Sequence, residues 1–338
     1  IVLDVDTGEV LALASLPEFD PNNVRTTDKV AADNSNLPPP VFNRATNAVF
    51  ELGSTIKSLT FASAIDAGII TTLSQKWDAT PFKIGSYEFN DDKPKGEFLN
   101  VVEALMYSSN VVTARVADQL GEDALKQTFI DLGMNERPYI DLPAKGLPIW
   151  HNNWGRTRLA TASYGHGLSF TPLHLASSYA SLVNGGIWRP ATLRKLGPSE
   201  VPRGRRVFKA STSARMRQLL RMTAMYGTGT SADAEGYRVG GKTGSAEKPG
   251  QGSYRRNSLI STFAAAFPMD RPRYVIVAML DEPRGTIASS YQRTASYTAG
   301  PIIGRLVPRI GPLLGVRPDG NRDIDLSDLI PLVRGNEI

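Results

Sequence analysis

Ser54-Thr55-Ile56-Lys57, Ser108-Ser109-Asn110 and Lys242-Thr243-Gly244 follow one another along the chain. Each string alone is short enough to arise by chance. In this order they supply a hydroxyl nucleophile with an amine base, a hydroxyl able to relay a proton, and a cationic strand able to dock a carboxylate. Together they predict serine acyl transfer that runs without a catalytic histidine.

Spacing gives each string its reading. Residues three apart on a helix share a face, so Ser54 and Lys57 are expected within hydrogen-bond reach of each other. A serine hydroxyl is a poor nucleophile until a base takes its proton, and a lysine serves as that base only when burial or a nearby cation lowers its pKa. The apolar run around Lys57 supplies the burial, and Lys242 the cation. Ser108 and Asn110 fall at a break between two helix patterns. As functional residues, Ser108 relays a proton to a leaving amine and Asn110 contacts the substrate's peptide. Taken alone, the pair reads more simply as a helix cap.

Lys242-Thr243-Gly244 lies in a strand-like run to which an extended peptide can add. Gly244 leaves room for close backbone approach. Lys242, Thr243 and Ser245 offer charge and hydroxyls to a C-terminal carboxylate. The backbone N–H groups of Ser54 and Ser245 are the candidates for an oxyanion hole.

Two rival patterns are weaker. Ser245-Ala246-Glu247-Lys248 repeats the serine–lysine spacing, but on a predicted strand, where residues three apart face opposite sides. The segment from Gly236 to Thr243 matches a phosphate-binding P-loop, and Val275 to Glu282 resembles the acidic strand of an ATPase. A P-loop must follow an apolar strand and open a helix. Here a loop precedes it, and Gly244, Pro249, Gly250 and Gly252 follow where the helix should start. The crossover that a parallel sheet requires is also missing. A P-loop ATPase stays only as the remote alternative.

The composition is that of an ordinary soluble globular chain, with 338 residues, 41% apolar and 21% charged, enough for one large domain or two smaller ones. No apolar run approaches the roughly 18 residues of a membrane span. The net charge is +5. Arg203, Arg205, Arg206, Lys209, Arg215, Arg217 and Arg221 form a basic cluster without the interleaved aromatics of a nucleic-acid platform, so it reads as a solvated face and no nucleic-acid partner is expected. The absence of cysteine excludes thiol catalysis, disulfides and cysteine metal sites. His151, His166 and His174 lack metal-ligand spacing, and His174 lies inside a helix pattern, which makes it a structural residue. No metal or cofactor is expected. The chain opens at Ile1 directly in a strand pattern, which reads as a piece of a longer protein whose signal or anchor lies upstream.

These residues need a frame. Ile1–Asp4 and Glu9–Ser15 alternate around Asp6-Thr7-Gly8 as a hairpin. Leu37 to Pro40 is a loop. Ser54 to Ala67 is apolar nearly all round and stops at Gly68, as a buried helix does. Trp77 to Asn90 reads as a hairpin or extended loop, and helices are expected over Val101–Tyr107, Val111–Leu120, Asp123–Leu132, Thr212–Met225 and Ala295–Val307. Thr171-Pro172 opens another that runs to about Val183. Tyr237–Glu247, Leu259–Phe267 and Tyr274–Asp281 read as three strands with short connections, hence antiparallel neighbours. The sum is an α+β chain: one mostly antiparallel sheet built from both ends of the sequence, with a helical block inserted between them and the last helix lying across the sheet. Residues 60–230 hold most of that block, and the tail over residues 316–338 has no evident role.

The pattern Leu3-Asp4, Thr7 to Ser15, Asn43-Arg44-Ala45, Phe50 to Ser54, Tyr164-Gly165-His166-Gly167-Leu168, Thr171-Pro172-Leu173, Gly227-Thr228-Gly229, Gly241 to Gly244 and Asp281-Glu282-Pro283 resembles the transpeptidase domain of class B penicillin-binding proteins over nearly the whole chain. The division-specific branch is the nearer resemblance, with the elongation branch open. The family usually has Pro where Leu52 stands and Thr where Ser245 stands, and neither change removes a catalytic group.

The resemblance implies a penicillin-binding/β-lactamase-like fold, with a five-stranded antiparallel sheet flanked by helices, over residues 1–315. It implies attack of Ser54 on the D-Ala-D-Ala end of a peptidoglycan stem peptide derived from lipid II, release of the last D-Ala, and transfer of the acyl group to a neighbouring stem amine. β-Lactams would acylate Ser54. It further implies an upstream anchor and pedestal, a periplasmic location at the inner membrane, and a membrane-embedded glycosyltransferase and division proteins as partners. D-Ala-D-Ala carboxypeptidase and non-catalytic β-lactam sensor are the alternatives within the same class.

Overall fold

The computed structural model of the chain describes residues 1–23, 38–249 and 254–333. Leu37, Gly250, Gly252 and the tail from residue 334, including Asn336, lie outside the described residues. In chain order the strands are β1 (Val2–Asp4), β2 (Val10–Ala12), β3 (Lys76–Asp78), β4 (Phe82–Ile84), β5 (Tyr87–Phe89), β6 (Phe98–Asn100), β7 (Ile187–Trp188), β8 (Arg205–Arg206), β9 (Gly240–Pro249), β10 (Tyr254–Phe267) and β11 (Tyr274–Asp281). The α-helices are α1 (Lys57–Asp66), α2 (Val101–Met106), α3 (Asn110–Leu120), α4 (Glu122–Asp131), α5 (Gly155–Ser163), α6 (Pro172–Val183), α7 (Ala210–Tyr226) and α8 (Ala299–Ile310).

The main sheet has five strands in the order β2-β1-β11-β10-β9, every neighbouring pair antiparallel. The two ends of the sequence meet where Val2 pairs with Ile276. Side chains alternate between faces along a strand, so one strand feeds two layers. On β10, Phe263, Ala265 and Phe267 join Ile303 and Val307 of α8, while Ala264 and Ala266 join the core shared with α6 and α7. Helices thus cover both faces of the sheet, and β10 is buried through its apolar length. Burying two layers is why this strand is a near-continuous apolar run.

Most expected elements are present with shifted ends. β9 begins at Gly240, after Tyr237 and Arg238. Arg238 adopts a positive φ of 51°, and the Val239 carbonyl is taken by Arg221, so neither residue extends the ladder. α8 begins at Ala299 and not at Ala295, because Ala295 and Ser296 are engaged in contacts with Ser245 and Thr228. α5 was not anticipated: its Gly-Arg-Thr-Arg start carries no apolar period, yet Leu159, Ala160 and Ala162 are buried.

The described part of the tail, up to Val333, is tied to the rest of the chain. Leu326, Leu329 and Val333 are buried in the main core. Arg221 of α7 is nearly buried and forks onto Asp323 at 2.6 and 2.8 Å, while its other branch bonds Asp233 at 2.7 Å and the Val239 carbonyl at 2.8 Å. Arg215 pairs with Asp328 at 2.5 Å. Arg205 stacks on Trp188 at 4.8 Å, so part of the basic cluster is spent on internal ties and not on an open face. Arg221→Met should lower the unfolding free energy by roughly 2–4 kcal/mol, below the full buried-pair loss because its carboxylates are partly hydrated. Denaturant unfolding measures it, and a loss under about 1 kcal/mol would mean that the tail tie is dispensable.

Candidate active site

Ser54 sits in a single 3₁₀ turn, Gly53–Thr55, immediately before α1. That turn is fixed from several sides. The Gly53 N–H donates to the Gly165 carbonyl at 3.2 Å, and the Thr55 hydroxyl donates to the Leu52 carbonyl at 2.8 Å. The buried Tyr179 of α6 donates to the Thr55 carbonyl at 2.8 Å. Two glycines allow the close approach. A side chain at Gly165, whose φ is +89°, would collide with the Gly53 carbonyl, and one at Gly244 would meet the Leu52 carbonyl oxygen at 2.5 Å. The Gly53–Thr55 turn, the Tyr164–Gly167 loop and β9 therefore lie against one another with bare backbone.

Lys57, the first residue of α1, is fully buried, as is Lys242 near the start of β9. Both amines reach the turn between α2 and α3. Lys57 Nζ donates to the Ser108 carbonyl and, at 3.1 Å, to Ser108 Oγ; Lys242 Nζ donates to the same Oγ at 2.9 Å. One hydroxyl thus bridges two buried amines. Ser108 holds this place with a φ of 63°, a strained backbone for a residue other than glycine.

The strain is held by a residue that sequence reading missed. Asp91, in the loop after β5, accepts from Ser109 Oγ at 2.6 Å, from the Asn110 N–H at 2.5 Å and from the Val111 N–H at 3.1 Å. Ser109 in turn caps α3 by accepting from the Val112 N–H at 3.0 Å. A carboxylate at a helix N-terminus is favoured by the orphan N–H groups there. In sequence, Asp91-Asp92 is an acidic pair in a polar loop, with nothing local to connect it to Ser108.

A cleft of about 640 Å³ opens between the sheet edge and the helical block. Ser54, Ser108, Asn110, Thr243 and Ser245 all line it. β9 is the terminal strand of the sheet, so its outer edge faces this cleft side without a sheet partner. Gly244 abuts the nucleophile turn, and the ideal side-chain position at Gly53 lies 3.1 Å from the Ser245 carbonyl, so the backbones of Ser54 and Ser245 run side by side. Thr243 Oγ1 lies 2.9 Å from Thr228 Oγ1, and Lys242 Nζ lies 3.4 Å from Thr243 Oγ1. Ser245 Oγ accepts the Ala295 N–H at 3.0 Å.

One expected contact is absent. Among the described residues no hydrogen bond joins Ser54 Oγ to Lys57 Nζ; the amine is taken up by Ser108. Ser54 belongs to the 3₁₀ turn and Lys57 to the α-helix, and the Lys57 amine is drawn to the Ser108 carbonyl and hydroxyl. The second serine–lysine string is structural, with Lys248 paired to Asp281 at 2.6 Å and Glu282 at 2.9 Å. The segment resembling a P-loop runs from a turn into strand β9 and opens no helix. His174 completes the α6 cap with Thr171 and donates from Nε2 to the Glu136 carbonyl at 2.9 Å, as a structural histidine.

Burial sets the charge state. Lys57 is lowered to about 7 by burial, against the pull of Asp91 and Asp92 in the other direction. Burial and then the charge of Lys57 hold Lys242 well below the ordinary lysine value. Two ammonium groups about one hydroxyl repel each other, so the pair holds a single proton more readily than two. His166, on the cleft wall, is lowered to about 4 by burial and by Lys57, so it is neutral at pH 7. The arrangement can abstract a proton from a hydroxyl at the cleft floor, pass it across Ser108, and dock an anionic peptide end on the β9 edge.

Residues 1–306 match the family model described as the penicillin-binding protein transpeptidase domain. The chain is 38% identical over 326 residues to the probable peptidoglycan D,D-transpeptidase FtsI of Caulobacter vibrioides, covering 94% of this chain and 54% of that protein. It is 31% identical over 333 residues to the peptidoglycan D,D-transpeptidase FtsI of Escherichia coli, covering 98% and 54%. The transpeptidase domain of penicillin-binding protein 3 from Burkholderia pseudomallei superposes with a TM-score of 0.81 at 28% identity, covering 94% of this chain and 88% of that one. The chain thus spans about half the length of the curated relatives it matches.

Proposed function

Because the chain belongs to the transpeptidase-domain family of penicillin-binding proteins, we propose that its cleft performs D,D-transpeptidation on peptidoglycan stem peptides through an acyl-enzyme on Ser54. The observation that carries this reading is the Ser108 hydroxyl bridged by buried Lys57 and Lys242, in the cleft that Ser54 lines. The donor's D-Ala-D-Ala end lies extended along β9, its terminal carboxylate at Lys242, Thr243 and Ser245 and its peptide at Asn110. Neutral Lys57 takes the proton as Ser54 Oγ attacks the penultimate carbonyl, whose oxyanion lies toward the N–H groups of Ser54 and Ser245. That proton passes through Ser108 to the leaving nitrogen, the peptide bond breaks, and free D-Ala departs. An acceptor stem amine then attacks the ester, a new peptide bond forms, and the Ser54 hydroxyl regains its proton. A β-lactam enters the same first half, but its leaving nitrogen stays tethered in the opened ring.

The relatives' names and length support a division role for a longer molecule. On this reading the domain faces the periplasm beside a membrane-embedded glycosyltransferase and division proteins, carried by an upstream anchor and pedestal. Among the described residues no helix is long and apolar enough to cross a membrane. The test is incubation with a D-Ala-D-Ala donor and an amine acceptor, read by mass. D-Ala release with a cross-linked product supports transpeptidation. Release with only hydrolysed donor assigns a carboxypeptidase. A stable penicillin adduct without peptide turnover assigns a sensor.

Carboxylate docking gives a sharper check. A charge-assisted hydrogen bond is worth about 1.5–3 kcal/mol, so Thr243→Val should slow acylation by roughly 10–150-fold. A penicillin ester already lacks the interaction and should lose far less. Equal losses for acid and ester would mean that Thr243 shapes the strand and does not read the carboxylate.

A further inference from the structure

Thr228 lies in the Gly227-Thr228-Gly229 turn after α7, and none of the steps above uses it. Its backbone is fixed at both ends: the N–H donates to the Met106 carbonyl at 3.2 Å, and its own carbonyl accepts from Ser296 Oγ at 2.8 Å. The flanking glycines permit this placement. A side chain at Gly227 would meet Met106, the last residue of α2, at 2.6 Å, and one at Gly229 would meet the Thr223 carbonyl at 3.0 Å. Three segments that converge on the cleft are thereby tied at one residue: the end of α2, the turn after α7, and the connection from β11 to α8. The Thr228 side chain lines the cleft, and among the described residues its hydroxyl has one hydrogen-bond partner, Thr243 Oγ1 at 2.9 Å.

A hydroxyl has one proton to give and two lone pairs to receive with. At Thr243 Oγ1, Lys242 Nζ approaches as a donor at 3.4 Å. If the Thr228 proton fills the second lone pair and Lys242 is charged, the Thr243 proton has no further acceptor among the described residues and is left for the cleft. If the pair ran the other way, Thr243 would spend its proton on Thr228 and turn a lone pair toward any arriving anion. The direction of one hydrogen bond therefore decides whether Thr243 attracts or repels a carboxylate.

We infer that Thr228 is a positioning residue for anionic substrates, donating to Thr243 so that Thr243 presents its proton to the substrate's carboxylate. The inference rests on the acyl-transfer reading and deepens it: it places the preference for acid over ester substrates in a two-hydroxyl relay, Thr228 to Thr243 to carboxylate. Valine fills nearly the same volume without the proton, whereas serine keeps it.

The test measures acylation of wild type, Thr228→Val, Thr228→Ser, Thr243→Val and the Thr228→Val/Thr243→Val double variant, each with a penicillin and its ester, with thermal unfolding as the fold control. Thr228→Val should lose roughly 2–12-fold on the acid, the size of one neutral hydrogen bond, and be nearly unchanged on the ester. Thr228→Ser should recover the acid rate to within about twofold, and the double variant should be no slower than Thr243→Val alone, as expected for residues acting as one unit. Equal losses on acid and ester would reduce Thr228 to packing and overturn the inference. So would losses that multiply in the double variant, which mean that Thr228 contacts substrate independently. Wild-type protein that takes up no penicillin at all would instead overturn the acyl-transfer reading on which the inference stands.

Discussion

Ser54→Ala should abolish covalent labelling by a fluorescent penicillin, the largest effect expected of any single substitution in this chain. Other serines line the same cleft, so the prediction discriminates. Ser108 is pinned between two amines, and Ser245 Oγ is occupied by the Ala295 N–H. Ser54 is the cleft serine set at the head of a buried helix, with a neutral-prone amine three residues on and the β9 edge beside it. Removing its oxygen removes the atom to which the acyl group bonds, and no neighbouring group can stand in for it. Ser245→Ala should keep the label. Ser108→Ala should keep it at a reduced rate, because the nucleophile survives while the proton path is cut. Peptide mapping of the labelled wild type should place the adduct on the peptide containing Ser54. A label persisting in Ser54→Ala, or mapping to another serine, would remove the assignment outright.

How far the sequence carries depends on the range of the contact. Gly68 ends α1 with a φ of +75°, and Thr171 caps α6, both as local rules foretell. The sheet was legible because its later strands are apolar runs of strand length joined by short connections, and short connections suit partners of opposite direction. What stayed hidden is carried by groups far apart in sequence. Asp91 and Ser109 are joined by a carboxylate–hydroxyl bond across a polar loop. Asp323 looks like solvated tail until Arg221 is seen to fork onto it. Leu326, Leu329 and Val333 are too few and too scattered to announce a buried segment, yet they enter the main core.

The site shows the same division. The residues singled out by spacing lie together, with Ser54, Ser108, Asn110, Thr243 and Ser245 on one cleft and Lys57 and Lys242 buried behind Ser108, but one expected hydrogen bond among them is not formed. Lys57 is held by Ser108, because a buried amine takes the acceptors that the fold offers it, and the strained turn at Ser108 offers both a carbonyl and a hydroxyl. That turn is kept in place by the Asp91 carboxylate. The geometry is therefore a buried lysine pair about the Ser108 hydroxyl, beside the cleft that Ser54 lines. A catalytic hydrogen bond can form only as substrate binds, so the proposed base role of Lys57 does not require a standing bond to Ser54.

Lys57→Arg and Lys57→Ala should each slow acylation by about 10²–10⁴-fold, the usual cost of losing a general base. Their near-equality is the informative part. Arginine keeps the positive charge and much of the reach, but its guanidinium does not deprotonate in a protein, so a charge-only role would be preserved by it and a base role would not. The pH dependence follows with a definite sign. Burial lowers Lys57 to about 7, and the base must be unprotonated to act, so wild-type acylation should rise as pH increases through about 7 and level off above it. Asp92 raises the Lys57 value, so Asp92→Asn should move that midpoint to lower pH while leaving the plateau nearly in place. Because Lys57 and Lys242 share Ser108, the midpoint belongs to the pair. Stopped-flow acylation across pH 5 to about 9 reads all four proteins in one series. An arginine variant with a near-normal rate, or a wild-type rate flat across that range, would take the base away from Lys57 and leave it only the task of holding the Ser108 turn.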